Sequence, residues 1–409
     1  MAANADPGRG WLGLLCLSRC LQATIACAWA GVMPAVMADW GLSASQAGLV
    51  QSAWHAGYLV SLFGVGFLSD RLGPRRVVRV GSGLTAIATA AFAGGASGPG
   101  SAAVLLGLTG LCAGACYSPG LQLLASNVAA GQRGRAMGAF IGASSLGYAL
   151  SLGVVALACA TLSWPWALRF IALLVALGAV LTWAALNRMR ADPAVAAPAR
   201  AGGMRRALAE TLRDRPAMAG NWAYAAHCWE LMALWAWLPA YLAFVQDGGA
   251  RALAGGVALA ALAHLASVAG SLMGGAASDR FGRARVMMAA SCASLCCSFA
   301  FGWLWAAPVW AVAVVGALYS LLAIADSSVY STALADVVPP ARLGAAISVR
   351  SVLGFGAGAL SPWVFGLALD WGQARLQLPG QAWVLAWSTV GLGALTGPWM
   401  IRRFQRLAG

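Results

Sequence analysis

Two stretches of the sequence decide the fold, GFLSDRLGPRRV at residues 66–77 and GAASDRFGRARV at residues 275–286. They share the pattern G-x-x-S-D-R-x-G-x-x-R-V and lie half a chain length apart in 409 residues. The same separation aligns His55 with His264. The chain is therefore predicted to be an internal duplication, built from two similar halves.

The composition places both halves in a membrane. The chain is 61% hydrophobic and 9% charged, whereas a soluble domain carries about a quarter charged residues. Continuous apolar stretches, each long enough to cross a bilayer as a helix, recur along the whole sequence. The predicted fold class is an all-α integral membrane protein with twelve transmembrane helices. The predicted spans are residues 11–38, 46–69, 77–97, 101–130, 135–160, 164–187, 217–245, 252–278, 285–305, 308–335, 342–368 and 381–401.

The duplication also predicts the domain organisation. Residues 1–187 form an N-terminal six-helix half, residues 188–216 a cytoplasmic linker rich in Ala, Pro and Arg, and residues 217–409 a C-terminal six-helix half. Six spans insert the second half in the same orientation as the first. Halves with this parallel relation are related by a pseudo-twofold axis along the membrane normal, with substrate bound between them near the midplane.

The basic residues, all of them arginine, set the orientation of the chain. The formal net charge is +14, and most arginines fall in the termini or in the loops on the same side as the duplicated motif. By the positive-inside rule this side is cytoplasmic, so we predict a multi-pass protein of the cell inner membrane with both termini in the cytoplasm. Because the charge is spread over every inner loop, a nucleic-acid partner is not expected. The ten cysteines fall in predicted spans and are interpreted as small apolar residues, with no metal or cofactor expected.

The duplicated motif resembles the signature of the major facilitator superfamily, which joins the second span to the third. The resemblance covers essentially the whole chain and implies a membrane transporter whose motif Asp acts as a cytoplasmic gate, meeting the opposite half when the cavity faces outward. The motif residues that match are Gly66, Asp70, Arg71, Gly73 and Arg76 in the first copy and Gly275, Asp279, Arg280, Gly282 and Arg285 in the second.

Few ionisable residues lie inside the predicted spans, and each is a functional candidate because a charge in the bilayer core is costly. The duplication places Arg19, which with Gln22 interrupts the first span, at the depth of His227 and Glu230 in the seventh. We expect Arg19 to bind an anionic group of the substrate, Glu230 to carry a coupling proton with His227 as its relay, and Trp229 to stack on the substrate. The alternative is an Arg19–Glu230 ion pair that only neutralises two buried charges.

Two further pairs of polar residues each allow more than one role. Asp326 and Arg350, on adjacent spans, are expected to pair, either structurally or as a second coupling or gating pair. His55 and His264 occupy equivalent positions toward the periplasmic side, where they could gate or sense pH; the simpler alternative is a hydrogen-bonded histidine packed against Trp54 or nearby backbone.

The function predicted from these features is secondary transport of a small organic anion by alternating access, coupled to protons. The partners are a small-molecule substrate, protons and the lipid bilayer, and a monomer is expected. Proton-antiport efflux of a drug or other hydrophobic or cationic compound is an alternative, in which Glu230 and Asp326 recognise the cation and Arg19 is structural. The fourth and fifth spans lack the Arg and the Gly-Pro pair of drug exporters, which disfavours this reading. A non-transporting membrane sensor is a further alternative, and no nucleophile, metal or phosphate-binding motif suggests an enzyme.

Overall fold

The computed structural model describes residues 10–128, 132–189, 201–246 and 250–408, and within them the regular structure is helical throughout. Twelve helical spans cross the molecule in alternating directions, and several are built from two pieces. In chain order they are Gly10–Ala23 with Ile25–Trp40, Ala44–Leu72, Pro74–Gly95, Pro99–Asn127, Arg133–Thr161, Trp164–Arg188, Arg215–Val245, Ala250–Phe281, Arg283–Phe301 with the 3-10 helix Gly302–Ala306, Val309–Ala325 with Ser327–Val337, Pro340–Arg375, and Pro379–Ala394 with Thr396–Ala408.

Eleven of these spans, among the described residues, are long and apolar enough to cross a membrane. The exception is the second span, Ala44–Leu72, whose 29 residues give it the necessary length. Its more polar composition, including the buried Gln51 and His55, is explained by its central place between the two halves of the molecule.

The chain reverses direction at two ends, which we call the motif end and the distal end. At the motif end the duplicated glycines Gly73 and Gly282 have φ values of 81° and 89°, a backbone conformation that glycine adopts without steric cost. At the distal end Ser43 begins the second span, where its hydroxyl accepts from the Gln46 amide in a capping box. Local sequence chemistry thus fixes the turns on both sides.

Two spans that approach the centre of the molecule are interrupted. The first span breaks after Ala23, where the Thr24 hydroxyl donates to the Leu21 carbonyl oxygen at 2.6 Å. The tenth span breaks at Asp326, which ends Val309–Ala325 and begins Ser327–Val337. Each interruption is a single residue whose backbone stays in the right-handed helical region, so both spans continue in nearly the same course.

Glycines let the two halves touch backbone to backbone along the second and eleventh spans. A Cβ on Gly48 would lie 2.2 Å from the Pro362 carbonyl oxygen, and one on Gly366 would lie 2.3 Å from the Ala44 carbonyl oxygen. Small residues permit this close helix packing in membranes. Near the middle, Tyr58 of the second span contacts Phe355 of the eleventh, with ring centroids 5.4 Å apart. These contacts join the halves from the distal end to the centre of the molecule.

The linker between the halves contains a helix, Ala201–Arg213, that packs on the motif end of the C-terminal half. Arg342, at the start of the eleventh span, lies 3.9 Å from a Glu210 oxygen and 3.6 Å from an Asp214 oxygen. A hydrogen bond from Arg206 lowers the pKa of the exposed Glu210 carboxyl. The predicted linker thus includes an ordered helix, and its residues 190–200 lie outside the described part of the chain.

Packing at Gly57 provides a test of the fold. A Cβ there would lie 1.9 Å from the Gly107 carbonyl oxygen of the fourth span, whereas a Cβ on Gly64 of the same span would meet no heavy atom within 4 Å. We therefore expect Gly57→Ala to destabilise the purified protein by about 1–3 kcal/mol through overpacking and Gly64→Ala to be neutral or slightly stabilising. Thermal unfolding in detergent measures both, and equal melting temperatures for the two variants would contradict this packing.

Candidate functional site

The first span is held close to its neighbours by glycines on either side of Arg19. A Cβ on Gly147 of the fifth span would lie 2.2 Å from the Cys20 carbonyl oxygen, and one on Gly178 of the sixth would lie 3.1 Å from the Ser18 carbonyl oxygen. Both spans therefore lie against the first span at the position of Arg19. The Arg19 guanidinium lies in the interior of the N-terminal half. Along the chain, Arg19 precedes Thr24 by a little more than one helical turn.

Arg19 is buried, with 9% of its surface exposed, and its contacts are unusual for a buried cation. Its Nε donates to the Ser144 hydroxyl at 2.7 Å. The guanidinium carbon lies 5.1 Å from the Tyr117 ring centroid and 5.7 Å from that of Phe140, within the range of cation–π attraction. Among the described residues no carboxylate lies within ion-pair distance of Arg19. The positive charge is thus held by neutral groups.

A small cavity opens beside Arg19. Its volume is about 20 Å³, enough for one water molecule, so the surrounding side chains must move to admit a larger ligand. Gln22 also faces it and donates to the Thr182 hydroxyl at 3.1 Å. The cavity is lined by Arg19, Gln22, Ala23, Ile25, Ala26, Trp54, Tyr58, Ala113 and Tyr148.

Glu230 does not face Arg19. Its Oε2 accepts from the Ser294 hydroxyl at 2.9 Å and its Oε1 from the Ser298 hydroxyl at 2.7 Å, and Ser298 in turn lies 2.6 Å from the Tyr319 hydroxyl. The carboxylate is therefore directed toward the ninth span, inside the C-terminal half. The structure therefore does not contain the Arg19–Glu230 ion pair that the sequence suggested as the alternative.

His227 pairs with Asp326 rather than with Glu230. The His227 Nδ1 lies 3.0 Å from the Asp326 Oδ1, and both side chains are 3% exposed. The imidazole stacks on the Tyr224 ring and lies against that of Tyr330, at centroid distances of 5.6 and 5.4 Å. Its Nε2 has no hydrogen-bond partner in the described part of the chain. The structure thus brings an acid and a base into contact at the break of the tenth span.

The prediction that Asp326 pairs with Arg350 is wrong, because each of them has another partner. Arg350 donates from Nη1 to the Ser331 hydroxyl at 2.5 Å and lies 4.7 Å from the Tyr224 ring centroid. Asp326 contacts His227 instead, and Ser331, about one and a half helical turns further along the tenth span, meets Arg350. The Tyr224 ring, which also stacks on His227, therefore lies between Arg350 and the His227–Asp326 pair.

Trp229 points away from the cavity beside Arg19. Its Nε1 donates to the Thr389 carbonyl oxygen at 3.3 Å, and a Cβ on Gly393 would lie 2.1 Å from that nitrogen. The indole is thus packed against the twelfth span. In this arrangement Trp229 does not face the cavity beside Arg19, because neighbouring residues on a helix face different directions. Its stacking on a substrate stays a prediction.

The two symmetric histidines have different surroundings. His55 is buried 3.3 Å from the Gln51 amide nitrogen and edge-on to Trp54, at a centroid distance of 5.0 Å, as the simpler alternative predicted. His264 instead reaches the other half, where its ring lies 6.2 Å from that of Tyr148. His264 therefore contacts the opposite half, and a gating role for either histidine stays a prediction.

The second copy of the duplicated motif is engaged within its own half. Asp279 and Asp336 both bind Arg283, at 2.5 and 3.3 Å. Gly282 makes the turn, and Gly275 lies beside Ser328 of the tenth span. The Arg71, Arg76, Arg280 and Arg285 side chains are exposed. Gly66 and the side chain of Asp70 lie outside what the structure describes.

Sequence reasoning missed the neutral polar residues that hold the buried charges. Ser294 and Ser298 are one helical turn apart, so they share a face of the ninth span, and this spacing was the available signal for Glu230. Ser144 and Ser331 carry no comparable pattern. Their roles depend on which spans lie next to each other, which the sequence does not state.

The amino-acid sequence is similar to those of a known protein family. A family model described as Major Facilitator Superfamily matches residues 15–362. The uncharacterized MFS-type transporters Rv2994 and MT3072 of two Mycobacterium tuberculosis strains are each 41% identical over 113 residues, which is 27% of this chain and 24% of theirs. The chain therefore matches only about a quarter of the length of these curated relatives.

Solved structures share the fold along the whole chain. A bacterial homolog of the human lysosomal transporter Spinster, in an inward-facing and unoccupied conformation, has a TM-score of 0.74 at 15% identity and covers 99% of both chains. The nucleoside transporter NupG, as a D323A mutant, has a TM-score of 0.76 at 16% identity, over 97% of this chain and 100% of that one. A D-xylose-proton symporter has a TM-score of 0.73 at 15% identity, over 94% and 96%. These matches confirm the predicted fold class.

The serines around Glu230 can be tested for stability. Ser298→Ala removes a donor to Glu230 and a partner of Tyr319, so we expect it to cost about 1–3 kcal/mol through unsatisfied buried groups. Ser361 is the matched control, because it is equally buried and, in the described part of the chain, bonds only the Gly358 carbonyl oxygen of its own helix. Thermal unfolding of the two alanine variants makes the comparison, and a smaller loss for Ser298→Ala than for Ser361→Ala would contradict the network.

Proposed function

Because this chain belongs to the Major Facilitator Superfamily, we propose that it is a secondary active transporter that carries a small organic anion by alternating access, coupled to protons. Family membership points to a transporter rather than an enzyme, and the many membrane-spanning helices make it a multi-pass membrane protein. The arginine-rich motif end is cytoplasmic in this proposal, with both termini on that side of the inner membrane.

The observation that carries the substrate assignment is the state of Arg19. A buried cation is expensive in a membrane interior unless an opposite charge or a set of hydrogen bonds compensates it. For this purpose Arg19 has only neutral partners among the described residues, namely the Ser144 hydroxyl, the Tyr58 side chain and two aromatic rings. A carboxylate or other anionic group of a substrate supplies what the protein lacks. Arginine suits this role because its planar fork can hold two oxygens at once.

The rest of the cavity suits the organic part of such a substrate. Trp54, Tyr58 and Tyr148 line it with large rings, and Gln22 adds an amide. Aromatic walls bury apolar surface, and a few polar groups fix the orientation of a ligand. Tyr58 and Tyr148 also touch Phe355 and Trp235 of the other half. A ligand that parts these rings therefore contacts both halves, which is the requirement for alternating access.

For proton coupling the geometry favours the His227–Asp326 pair. Both side chains are buried, and the His227 Nδ1 and the Asp326 Oδ1 are 3.0 Å apart, which is within reach of a direct proton transfer. Glu230 is the second buried carboxylate of this half and stays a candidate proton carrier, although both its oxygens are occupied by serine hydroxyls. Asp326 thereby replaces Glu230 as the partner of His227 in our mechanism.

The principal alternative is export of a cationic compound recognised by Glu230 and Asp326. Both of these carboxylates already have partners inside the protein, whereas Arg19 has no acidic one among the described residues. A cation would therefore have to displace existing contacts, while an anion would complete an incomplete site. This difference favours the anion, and nothing in the described structure favours a sensor that does not transport.

Substitution of Arg19 tests the substrate class. We expect Arg19→Gln to reduce uptake of organic anions into proteoliposomes by at least tenfold, since a charge-assisted hydrogen bond contributes about 1.5–3 kcal/mol. Arg19→Lys should restore part of the activity because it keeps the charge without the fork. The matched control is Arg169→Gln, which removes an arginine that stacks on Trp166 in the sixth span. Unchanged uptake in Arg19→Gln rules out the anion site.

Separate measurement of accumulation and exchange tests the coupling groups. We expect Asp326→Asn to abolish accumulation driven by an imposed pH gradient but to spare counterflow exchange, which needs no net proton movement. Glu230→Gln, measured in parallel, decides whether the second carboxylate also carries a proton. Asp39→Asn serves as the control, since Asp39 bonds the Trp164 indole nitrogen at the distal end. Full gradient-driven accumulation in Asp326→Asn contradicts the assignment.

A further inference from the structure

A carboxylate of one half is bound to the start of a helix of the other half at the distal end. Asp370, near the end of the eleventh span, accepts the Ala44 amide at Oδ1 over 2.7 Å and the Ser45 amide at Oδ2 over 2.8 Å. These are the first two amides of the second span. Each carboxylate oxygen thus holds one amide, and the two bonds connect the halves directly.

The start of the second span depends on this contact for its hydrogen bonds. The first amides of a helix have no partner within the helix itself. Ser43 takes the Gln46 amide, and the Gln46 side chain takes the Ser43 amide in return. Ala44 and Ser45 are left, and the opposite half supplies their acceptor. A negative charge at this position is also favoured by the helix dipole.

The backbone contact described above positions the carboxylate. Gly366 precedes Asp370 by one helical turn, so both face the second span, and Gly366 allows the Ala44 carbonyl to lie against the eleventh span. Close by, the halves are less tightly packed, because a cavity of about 210 Å³ lies between Pro34 and Met37 of the first span and Leu369 and Gln373 of the eleventh. The Asp370 contact is therefore a localised attachment beside a loosely filled region.

This contact exists on one side of the duplication only. At the half-chain separation that relates the motifs, the position equivalent to Asp370 is Thr161, at the end of the fifth span. Thr161 bonds the Leu157 carbonyl of its own helix. Nothing in the duplicated fold itself thus demands an acid at this position.

We propose that Asp370 is a positioning residue of the transport cycle, a latch that holds the distal end closed by capping the second span from the opposite half. This inference rests on the alternating-access function proposed above. To open the distal end, the molecule must break both bonds and separate Gly366 from Ala44. The latch lies at the opposite end of the second span from Asp70, so it is distinct from the cytoplasmic gate that the family resemblance implies.

Hydrogen–deuterium exchange of the purified full-length protein tests the latch. We expect Asp370→Asn to shift the ratio of distal-closed to distal-open molecules about five- to thirty-fold toward open, the effect of losing a helix cap of ordinary strength. Exchange should then accelerate at the start of the second span and slow at the motif-end start of the eleventh, as that end closes. Faster exchange at the second span alone would show a local cap only and would overturn the proposal.

Two further variants keep the test decisive. Asp39→Asn is the matched control, because Asp39 is an acid at the same end whose bond to Trp164 joins two spans of one half; it should leave the motif-end exchange unchanged. If Asp370→Asn does not fold, Ala44→Pro removes one of the two bonded amides at a helix position where proline is tolerated and should produce the same opposed shifts. Absence of those shifts in a folded Ala44→Pro overturns the latch.

The outcomes also separate the latch from the proposed transport function. If the opposed exchange shifts occur but no organic anion is taken up by the wild-type protein, the latch stands and the substrate assignment fails. If anions are transported in an Arg19-dependent manner but the exchange shifts are absent, the substrate assignment stands and the latch fails.

Discussion

A membrane interior offers no water to a buried charge or to an open backbone group, and this constraint organises the polar residues of the molecule. Glu230 is held by serine hydroxyls, Asp326 by an imidazole, and Arg350 by a serine and an aromatic ring. Neither Arg350 nor Arg19 has an acidic partner among the described residues, and of the two Arg19 is the one that is buried. That imbalance is most simply understood as a site completed by a substrate.

The sequence predicted where each span begins and ends, but not which neighbouring span a given side chain faces. Apolar run lengths and turn residues placed span limits close to the observed ends, as in the fifth span, predicted at residues 135–160 and observed at Arg133–Thr161. The duplication placed Arg19 and Glu230 inside their spans, which the structure has at Gly10–Trp40 and Arg215–Val245. It could not show that Glu230 faces the ninth span while Arg19 faces the fifth, because the rotation of a helix that is apolar on all sides is set by its neighbours.

The partners of Asp326 illustrate the same limit. From the sequence, the nearest opposite charge on an adjacent span was Arg350, and a continuous tenth helix made that pairing reasonable. In the structure the Asp326 carboxylate contacts His227, at a one-residue interruption of the tenth span. No helix-breaking proline or glycine marks that position in the sequence, so the interruption depends on tertiary contacts. The acid–base pair, and with it the preferred proton pathway, could only be found in three dimensions.

The most direct test of the central claim is a thermal-shift measurement on the purified protein with a panel of organic anions, cations and neutral compounds, for wild type and Arg19→Gln. A ligand that binds only the folded state raises the free energy of unfolding, and with it the unfolding temperature, by an amount that grows with the ratio of free ligand concentration to Kd. The account predicts that at least one organic anion stabilises the wild type and that this stabilisation is lost in Arg19→Gln. Stabilisation by cations alone, equal in both proteins, would contradict it.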